Sequence, residues 1–177
     1  YSSAASDVYK RQVSGDDDWG VLMRGGLVYT GSGKISIYGR SPASCAASSH
    51  RGIASGWLAQ TSLVSESQAT DAVYLYGNTA SCNNGGSVYA SAVESHNQWT
   101  NIATPNGGGI KVYGIQGNAS YDPDNWLDSS TVQLSYVNFV SNSGPILIHA
   151  ENAAASSPYN IKFAWDSSSR RSFGAVS

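Results

Sequence analysis

Apolar and polar residues alternate in four short segments that share one pattern. The segments are residues 35–39 (Ile-Ser-Ile-Tyr-Gly), 73–77 (Val-Tyr-Leu-Tyr-Gly), 110–114 (Ile-Lys-Val-Tyr-Gly) and 146–150 (Ile-Leu-Ile-His-Ala). They begin at positions 35, 73, 110 and 146, which are 38, 37 and 36 residues apart. A fixed period of this length marks a supersecondary unit that is used several times. Because alternation places every second side chain on one face of a strand, the pattern predicts four equivalent β-strands.

The alternation also predicts which side chains share a face. One apolar set is expected to be buried almost completely: Ile37, Leu75, Val112 and Ile148. The residues that follow these four point to the opposite face and are expected to align one above the other: Tyr38, Tyr76, Tyr113 and His149. We call this second set the aromatic row. Cross-strand neighbours of this kind stabilise a sheet when they lie in register.

Further strands are expected between the four segments, because several other stretches alternate or are rich in β-forming residues. These stretches are residues 16–23, 27–29, 87–93, 132–139 and 161–165. The intervening sequence is rich in turn-forming residues, at 83–86, 105–109, 122–125 and 142–145. We therefore expect one all-β domain over residues 13–177, with almost no helix.

Three all-β folds could carry these strands: a parallel β-solenoid, a three-fold prism or propeller, and an antiparallel sandwich. We favour the parallel β-solenoid, with an antiparallel β-sandwich or jelly roll as the alternative. In a parallel β-solenoid, equivalent residues of successive repeats lie about 4.8 Å apart. In an antiparallel β-sandwich or jelly roll, each repeat is a pair of strands. Cys45 and Cys82 occupy equivalent positions in consecutive repeats, and a disulfide requires Cα atoms roughly 4.4–6.8 Å apart. A bond between them would favour the solenoid; two unpaired buried thiols are the alternative.

Residues 132–149 resemble one coil of the right-handed parallel β-helix that occurs in pectin-lyase-like proteins and phage tailspikes. Residues 99–113 are similar. The resemblance implies a parallel β-helix, in which a repeat of 36 to 38 residues requires a long loop in every coil.

The first twelve residues are treated separately. Residues 7–12 (Asp-Val-Tyr-Lys-Arg-Gln) back-translate to a transposon end that is used in preparing sequencing libraries. Residues 1–12 therefore resemble adapter-derived sequence and are expected to be a non-native arm. An ordinary flexible N-terminal arm is the alternative.

The composition narrows the classes of partner. Only 12% of residues are charged and the formal net charge is −2, so a phosphate backbone has no basic patch to bind and nucleic acid is not an expected partner. No apolar run approaches the ~20 residues of a membrane span. Low charge with abundant Ser, Gly and Tyr suits a protein that works outside cells or on a virion or cell surface, where a homo-oligomer is one option.

The aromatic row is the leading candidate for binding. Exposed aromatic rings bind sugars through their apolar C–H faces, and phenol hydroxyls add polar contacts. The expected function is therefore non-catalytic recognition of carbohydrate or a cell-surface glycan, as in a lectin, adhesin or tailspike module. A purely structural ladder, as in a coat or fibre subunit, is an alternative explanation of the same row.

A catalytic alternative rests on three carboxylates in one loop: Asp122, Asp124 and Asp128. Paired carboxylates across a sugar act as acid and base in glycosidases, so a glycosidase or polysaccharide lyase is the enzymatic alternative. The same oxygens could hold calcium, and turn formation alone also selects Asp-Pro-Asp-Asn. No nucleophile elbow, zinc motif or phosphate loop is present in the sequence, so neither a metal nor a cofactor is expected.

Overall fold

A computed structural model describes residues 17–40, 49–55, 59–79, 89–95, 99–117, 131–134, 136–152, 161–163 and 174–176. In these residues the chain forms strands and no helix, which confirms the all-β prediction. The strands are, in chain order, β1 (Asp17–Met23), β2 (Gly26–Thr30), β3 (Ile35–Arg40), β4 (Ser49–Ser55), β5 (Thr61–Ser65), β6 (Val73–Thr79), β7 (Tyr89–Ser95), β8 (Thr100–Thr104), β9 (Ile110–Gln116), β10 (Val132–Leu134), β11 (Val137–Ser141), β12 (Ile146–Asn152), β13 (Ile161–Phe163) and β14 (Gly174–Val176).

These strands form three sheets, and each strand pairs with the strands three places away in the chain. Sheet A has the order β1-β4-β7-β10-β13, sheet B the order β2-β5-β8-β11-β14, and sheet C the order β3-β6-β9-β12. Every pairing between described strands is parallel. The chain therefore contributes one strand to each sheet in turn before it returns to the first.

Sheet C contains the four repeated segments, paired in register. Ile35 lies beside Val73, Val73 beside Ile110, and Ile110 beside Ile146. The offsets between paired residues are therefore the 38, 37 and 36 residues that separate the repeats in sequence. The prediction of four equivalent strands is confirmed.

Alternate side chains of the three sheets form one apolar core. Burial alternates along β6 and β9, with the first, third, fifth and seventh residues buried in each. Residues exposed by no more than 1% come from all three sheets and include Ile37, Ile53, Leu63, Val73, Ile102, Ile110, Val112, Val132 and Phe139. The alternation of apolar and polar residues in the sequence therefore marks the side chains that point into one shared core.

The predicted buried set is correct for three of its four members. Ile37, Leu75 and Val112 are at most 4% exposed, but Ile148 is only partly buried against the core. Ile37 and Ile148 both lie in end strands of sheet C. β3 also packs against β1 and β4, whereas the described contacts of β12 are mainly with β9, so Ile148 is covered on fewer sides.

The other strands were predicted less completely. The stretch 132–139 is not one strand: it is divided between β10 in sheet A and β11 in sheet B. Tyr136 lies at the corner with φ = 54°, a left-handed conformation that turns the chain from one sheet to the next. β4, β5, β8 and β14 were not predicted as strands. β4 is buried on both faces from His50 to Ser55, so its sequence does not alternate.

Inward-facing hydroxyls stabilise the corners that lead from sheet B to sheet C. Ser65 Oγ donates a hydrogen bond to the Gly33 carbonyl oxygen (2.8 Å). Thr104 Oγ1 and Ser141 Oγ both donate to the Gly108 carbonyl oxygen, at 2.5 and 3.0 Å. These hydroxyls satisfy carbonyl groups just before β3 and β9 that the bend removes from the sheet.

A glycine follows the tyrosine in the first three repeats, and Gly39, the first of them, lies where sheets A and C meet. A Cβ atom added to Gly39 would lie 2.0 Å from the carbonyl oxygen of Gly52 in β4. Gly39 pairs in register with Gly77, and Gly77 with Gly114, and all three are buried. The backbone of the two sheets therefore approaches too closely for a side chain at Gly39.

Three predictions fall on residues outside the described ones. These are the Cys45–Cys82 disulfide, the non-native arm at residues 1–12 and the acidic candidates Asp122, Asp124 and Asp128. All three stay predictions.

Candidate functional site

The aromatic row lies on the outward face of sheet C, one residue from each strand. Tyr38 pairs with Tyr76, Tyr76 with Tyr113, and Tyr113 with His149. The alignment follows from the repeat, because the neighbouring residues in all four strands are the inward-facing apolar positions. The alignment predicted from sequence is confirmed, and the role of these side chains in binding stays a prediction.

The rings of the row are stacked on one another along most of its length. The Tyr113 and His149 rings are 4.8 Å apart between centroids and nearly parallel, with 6° between their planes. Tyr76 and Tyr113 are 5.6 Å apart at 10°. Stacked rings cover each other's faces, so Tyr76 and Tyr113 present mainly their edges and hydroxyl groups to solvent.

Tyr38 differs from the other members of the row. Its ring is tilted by 47° from that of Tyr76 at a centroid distance of 6.0 Å, and the residue is 61% exposed. It also meets Tyr74 edge to face at 5.7 Å. Tyr38 is therefore the tyrosine of the row whose ring is most accessible to a ligand.

Glu151 is a polar partner that the sequence patterns did not identify. The Tyr113 hydroxyl donates a hydrogen bond to Glu151 Oε1, and His149 Nε2 lies 3.2 Å from the same oxygen. The hydrogen bond raises the pKa of Tyr113 to about 12, because the phenol must lose its proton beside a negative charge. In return, hydrogen bonds from Tyr113 and His149 lower the pKa of Glu151.

Asn78 supplies a second polar group beside the row. Asn78 Nδ2 donates a hydrogen bond of 3.1 Å to the Tyr76 hydroxyl. Both Asn78 and Glu151 lie two residues after a member of the row, so strand alternation brings them to the same face. That spacing is the sequence signal by which these two partners could have been found.

A second track runs parallel to the row, two residues earlier in each strand. It consists of Ser36, Tyr74, Lys111 and Leu147. Lys111 Nζ lies 5.4 Å from the centroid of the Tyr74 ring, within the range of a cation–π contact. Burial is the main cause of a raised pKa of Tyr74, followed by the neighbouring tyrosines Tyr38 and Tyr76.

An ion pair lies where the chain enters sheet C. Lys34 Nζ is 2.5 Å from Asp71 Oδ1, and both side chains are partly exposed. The hydrogen bond from Lys34 is the main reason that the pKa of Asp71 is lowered. Since Asp71 is paired with Lys34, the acidic groups of this face are already engaged by the protein itself.

The outward face of sheet C is thus an aromatic surface with polar edges. It offers phenol hydroxyls, the Asn78 amide, the Lys111 ammonium group and the guanidinium group of Arg40, which is exposed and pairs in register with Asn78. Its carboxylates, Asp71 and Glu151, are paired with Lys34 and Tyr113. Such groups can hydrogen-bond to an uncharged polar ligand and contact its apolar faces.

The catalytic candidates Asp122, Asp124 and Asp128 lie outside the described residues, as do Cys45 and Cys82. Within the described ranges, no three His, Cys, Asp or Glu side chains are grouped closely enough to hold a metal ion. The described part of the chain also has no helix of the length and apolarity that a membrane crossing requires.

Comparisons of the chain with protein-family models, with curated proteins and with solved structures found no match. The site must therefore be interpreted from its own geometry.

Proposed function

We propose that this protein is a non-catalytic recognition module that binds carbohydrate on the outward face of sheet C. The observation that carries the proposal is the aromatic row: four rings in register on an exposed face, with Tyr38 accessible at one end. Aromatic rings with hydroxyl groups match the mixed character of sugars, whose C–H faces are apolar and whose edges are polar.

Ring stacking suggests how such a ligand would bind. The Tyr38 ring offers a surface for one pyranose, because the rings of Tyr76 and Tyr113 are occupied by their own neighbours. Further sugars would contact the hydroxyl edges along the row. Since the row runs across the strands, we expect a ligand of several linked sugars that lies along it.

The proposal includes a parallel β-solenoid as the architecture. The order in which the chain visits sheets A, B and C, with parallel pairing throughout the described strands, supports three faces of one solenoid. Such a scaffold holds equivalent side chains at a constant spacing of about 4.8 Å. An extracellular or virion-surface location, where glycans are encountered, belongs to the same proposal.

A glycan-array screen with a parallel assay for new reducing ends tests this function. We expect binding without release of reducing ends. Tyr38→Ala should weaken binding by about 1 kcal/mol or more, which is roughly a fivefold rise in Kd.

Tyr29→Ala is the matched control for that variant. Tyr29 is similarly exposed, at 57%, but it lies on sheet B. Equal loss of binding in both variants would contradict a site on sheet C. Release of reducing ends would favour the glycosidase or lyase.

One observation favours a second candidate function, a structural subunit of a coat or fibre. The stacked rings of Tyr76, Tyr113 and His149 stabilise one another and need no ligand. Under this alternative no glycan binds, and Tyr113→Ala destabilises the fold strongly. Under the carbohydrate proposal Tyr113→Ala costs less stability than a buried substitution and weakens binding.

A further inference from the structure

We infer that Tyr38 and Tyr76 form a site of oxidative cross-linking, in which a dityrosine bond joins β3 to β6. This inference is independent of carbohydrate binding, because it concerns a covalent modification between two side chains of the chain itself. It rests on the register, the ring geometry and the exposure of this one pair.

Register places the two tyrosines next to each other whenever the sheet is formed. Tyr38 and Tyr76 are direct Cα partners in parallel strands, and their ring centroids are 6.0 Å apart. Tyr38 is 61% exposed and β3 is an end strand of sheet C. An oxidant in solution can therefore reach Tyr38, and its ring has room to move towards its neighbour.

The ring orientation distinguishes this pair from Tyr76–Tyr113 and Tyr38–Tyr74. The Tyr74–Tyr76 rings are also tilted, by 53° at 6.4 Å, but that pair lacks a tyrosine as exposed as Tyr38. The new bond joins the carbons beside each hydroxyl, and the two rings of the product are twisted relative to one another. The Tyr38 and Tyr76 planes already differ by 47°. In contrast, Tyr76 and Tyr113 are stacked at 10°, and Tyr38 and Tyr74 are perpendicular at 89°.

Hydrogen bonding adds to this selectivity. The Tyr113 hydroxyl is bound to Glu151, so turning that ring breaks a charge-assisted hydrogen bond. The Tyr76 hydroxyl instead accepts from Asn78 and keeps its own proton free to leave. Tyr76 can therefore lose its hydrogen atom without disrupting that contact.

The reaction needs hydrogen peroxide and a peroxidase as the one-electron oxidant. Each phenol loses one electron and one proton and becomes a phenoxyl radical. The two radicals combine to form the C–C bond, and each ring carbon then passes its hydrogen to the oxygen, which restores both hydroxyl groups. One peroxide accepts two electrons and two protons and leaves as two molecules of water.

The bond would tie an end strand of sheet C to its neighbour. It would join two residues that are 38 positions apart in the chain. A cross-link of this kind restricts the unfolded chain in the way a disulfide does. We therefore expect the cross-linked protein to melt at a higher temperature than the untreated protein.

The test treats the folded full-length chain with a peroxidase and hydrogen peroxide, then maps linked peptides by mass spectrometry. The expected product is a link between Tyr38 and Tyr76 within one molecule, accompanied by dityrosine fluorescence. Tyr38→Phe and Tyr76→Phe should each abolish this link. Tyr74→Phe and Tyr29→Phe are the controls and should retain the link, because neither residue takes part in it. Tyr74→Phe removes a nearby hydroxyl, and Tyr29→Phe removes one that is similarly exposed.

A second arm repeats the treatment in urea, where proximity due to the fold is lost. A link between Tyr38 and Tyr76 of the same molecule should then no longer be detected. Absence of the Tyr38–Tyr76 link in the folded protein would overturn the inference, as would a link of equal yield in urea. A dominant link from Tyr38 to Tyr74 would overturn the assignment of the partner.

Discussion

Truncation of Val112 tests whether the repeated alternation defines the interior. Val112 is fully buried in β9, which lies between β6 and β12. Val112→Ala removes two methyl-sized groups, and at about 0.8 kcal/mol each this loses about 1.6 kcal/mol of burial. A cavity of about 40 Å³ that remains after relaxation would add about 1 kcal/mol. We expect unfolding to become easier by about 2 to 3 kcal/mol.

Val64→Ala is the matched control, because the same atoms are removed from the opposite kind of position. Val64 lies in β5 between two other strands, but it points outward and is only partly buried. Its truncation should cost less than about 1 kcal/mol. Urea unfolding followed by tryptophan fluorescence measures both variants, and equal slopes against urea ensure that midpoints can be compared.

Two results would refute this reasoning. If Val112→Ala stays within about 0.5 kcal/mol of the wild type, residue 112 does not lie in a packed interior. If Val64→Ala costs as much as Val112→Ala, the assignment of inward and outward faces has no energetic basis.

Three further predictions concern a close approach, a titration and the cysteines. Gly39→Ala should destabilise the fold by about 1 to 3 kcal/mol through overpacking. Gly31→Ala is the control and should be close to neutral, because a Cβ atom at Gly31 meets nothing within 4 Å. Urea unfolding measures the stability of both variants. Glu151→Gln should lower the pKa of Tyr113 from about 12 towards 10.0, measured by ultraviolet titration of the phenols. Because the pKa of Glu151 is lowered and that of Tyr113 raised, the stability lost in this variant should be largest between pH 4.5 and 10.0 and should vanish in stronger acid and above pH 12. Alkylation in denaturant without reductant should leave both cysteines unmodified, whereas two unpaired thiols would both react. Replacement of the cysteines by serine should cost roughly 3–4 kcal/mol.

The repeat predicted sheet C and its register because there the inward positions carry large apolar residues in every strand. Sheets A and B were harder to predict for two physical reasons. β4 is buried on both faces, including His50 and Arg51, so no alternation distinguishes it. β5 and β8 place threonine and serine inward. The hydroxyls of Ser65, Thr100 and Thr104 bond to the backbone or to another hydroxyl, and the buried hydroxyl of Thr61 has no hydrogen-bond partner among the described residues. A prediction from polarity alone therefore places these buried polar residues on the exposed face.

At the site, sequence predicted which residues align but not how their side chains meet. Alignment depends on backbone register, which the period of the repeat sets. Stacking of Tyr113 on His149 depends on side-chain torsions, and the partner Glu151 lies on an end strand with no counterpart carboxylate in the other repeats. Because Tyr76, Tyr113 and His149 stack on one another, we expect a sugar ring to stack on Tyr38 and not along the whole row.

A titration of isotope-labelled protein with the oligosaccharide selected on the array tests the central claim most directly. Amide and aromatic chemical shifts should change on the outward face of sheet C, most strongly at Tyr38 and then along Tyr76, Tyr113 and His149. Residues of sheet B such as Tyr29 and Val64 should not shift. Shifts confined to sheets A and B or to the connecting loops would contradict the account, as would the failure of every oligosaccharide on the array to perturb the row.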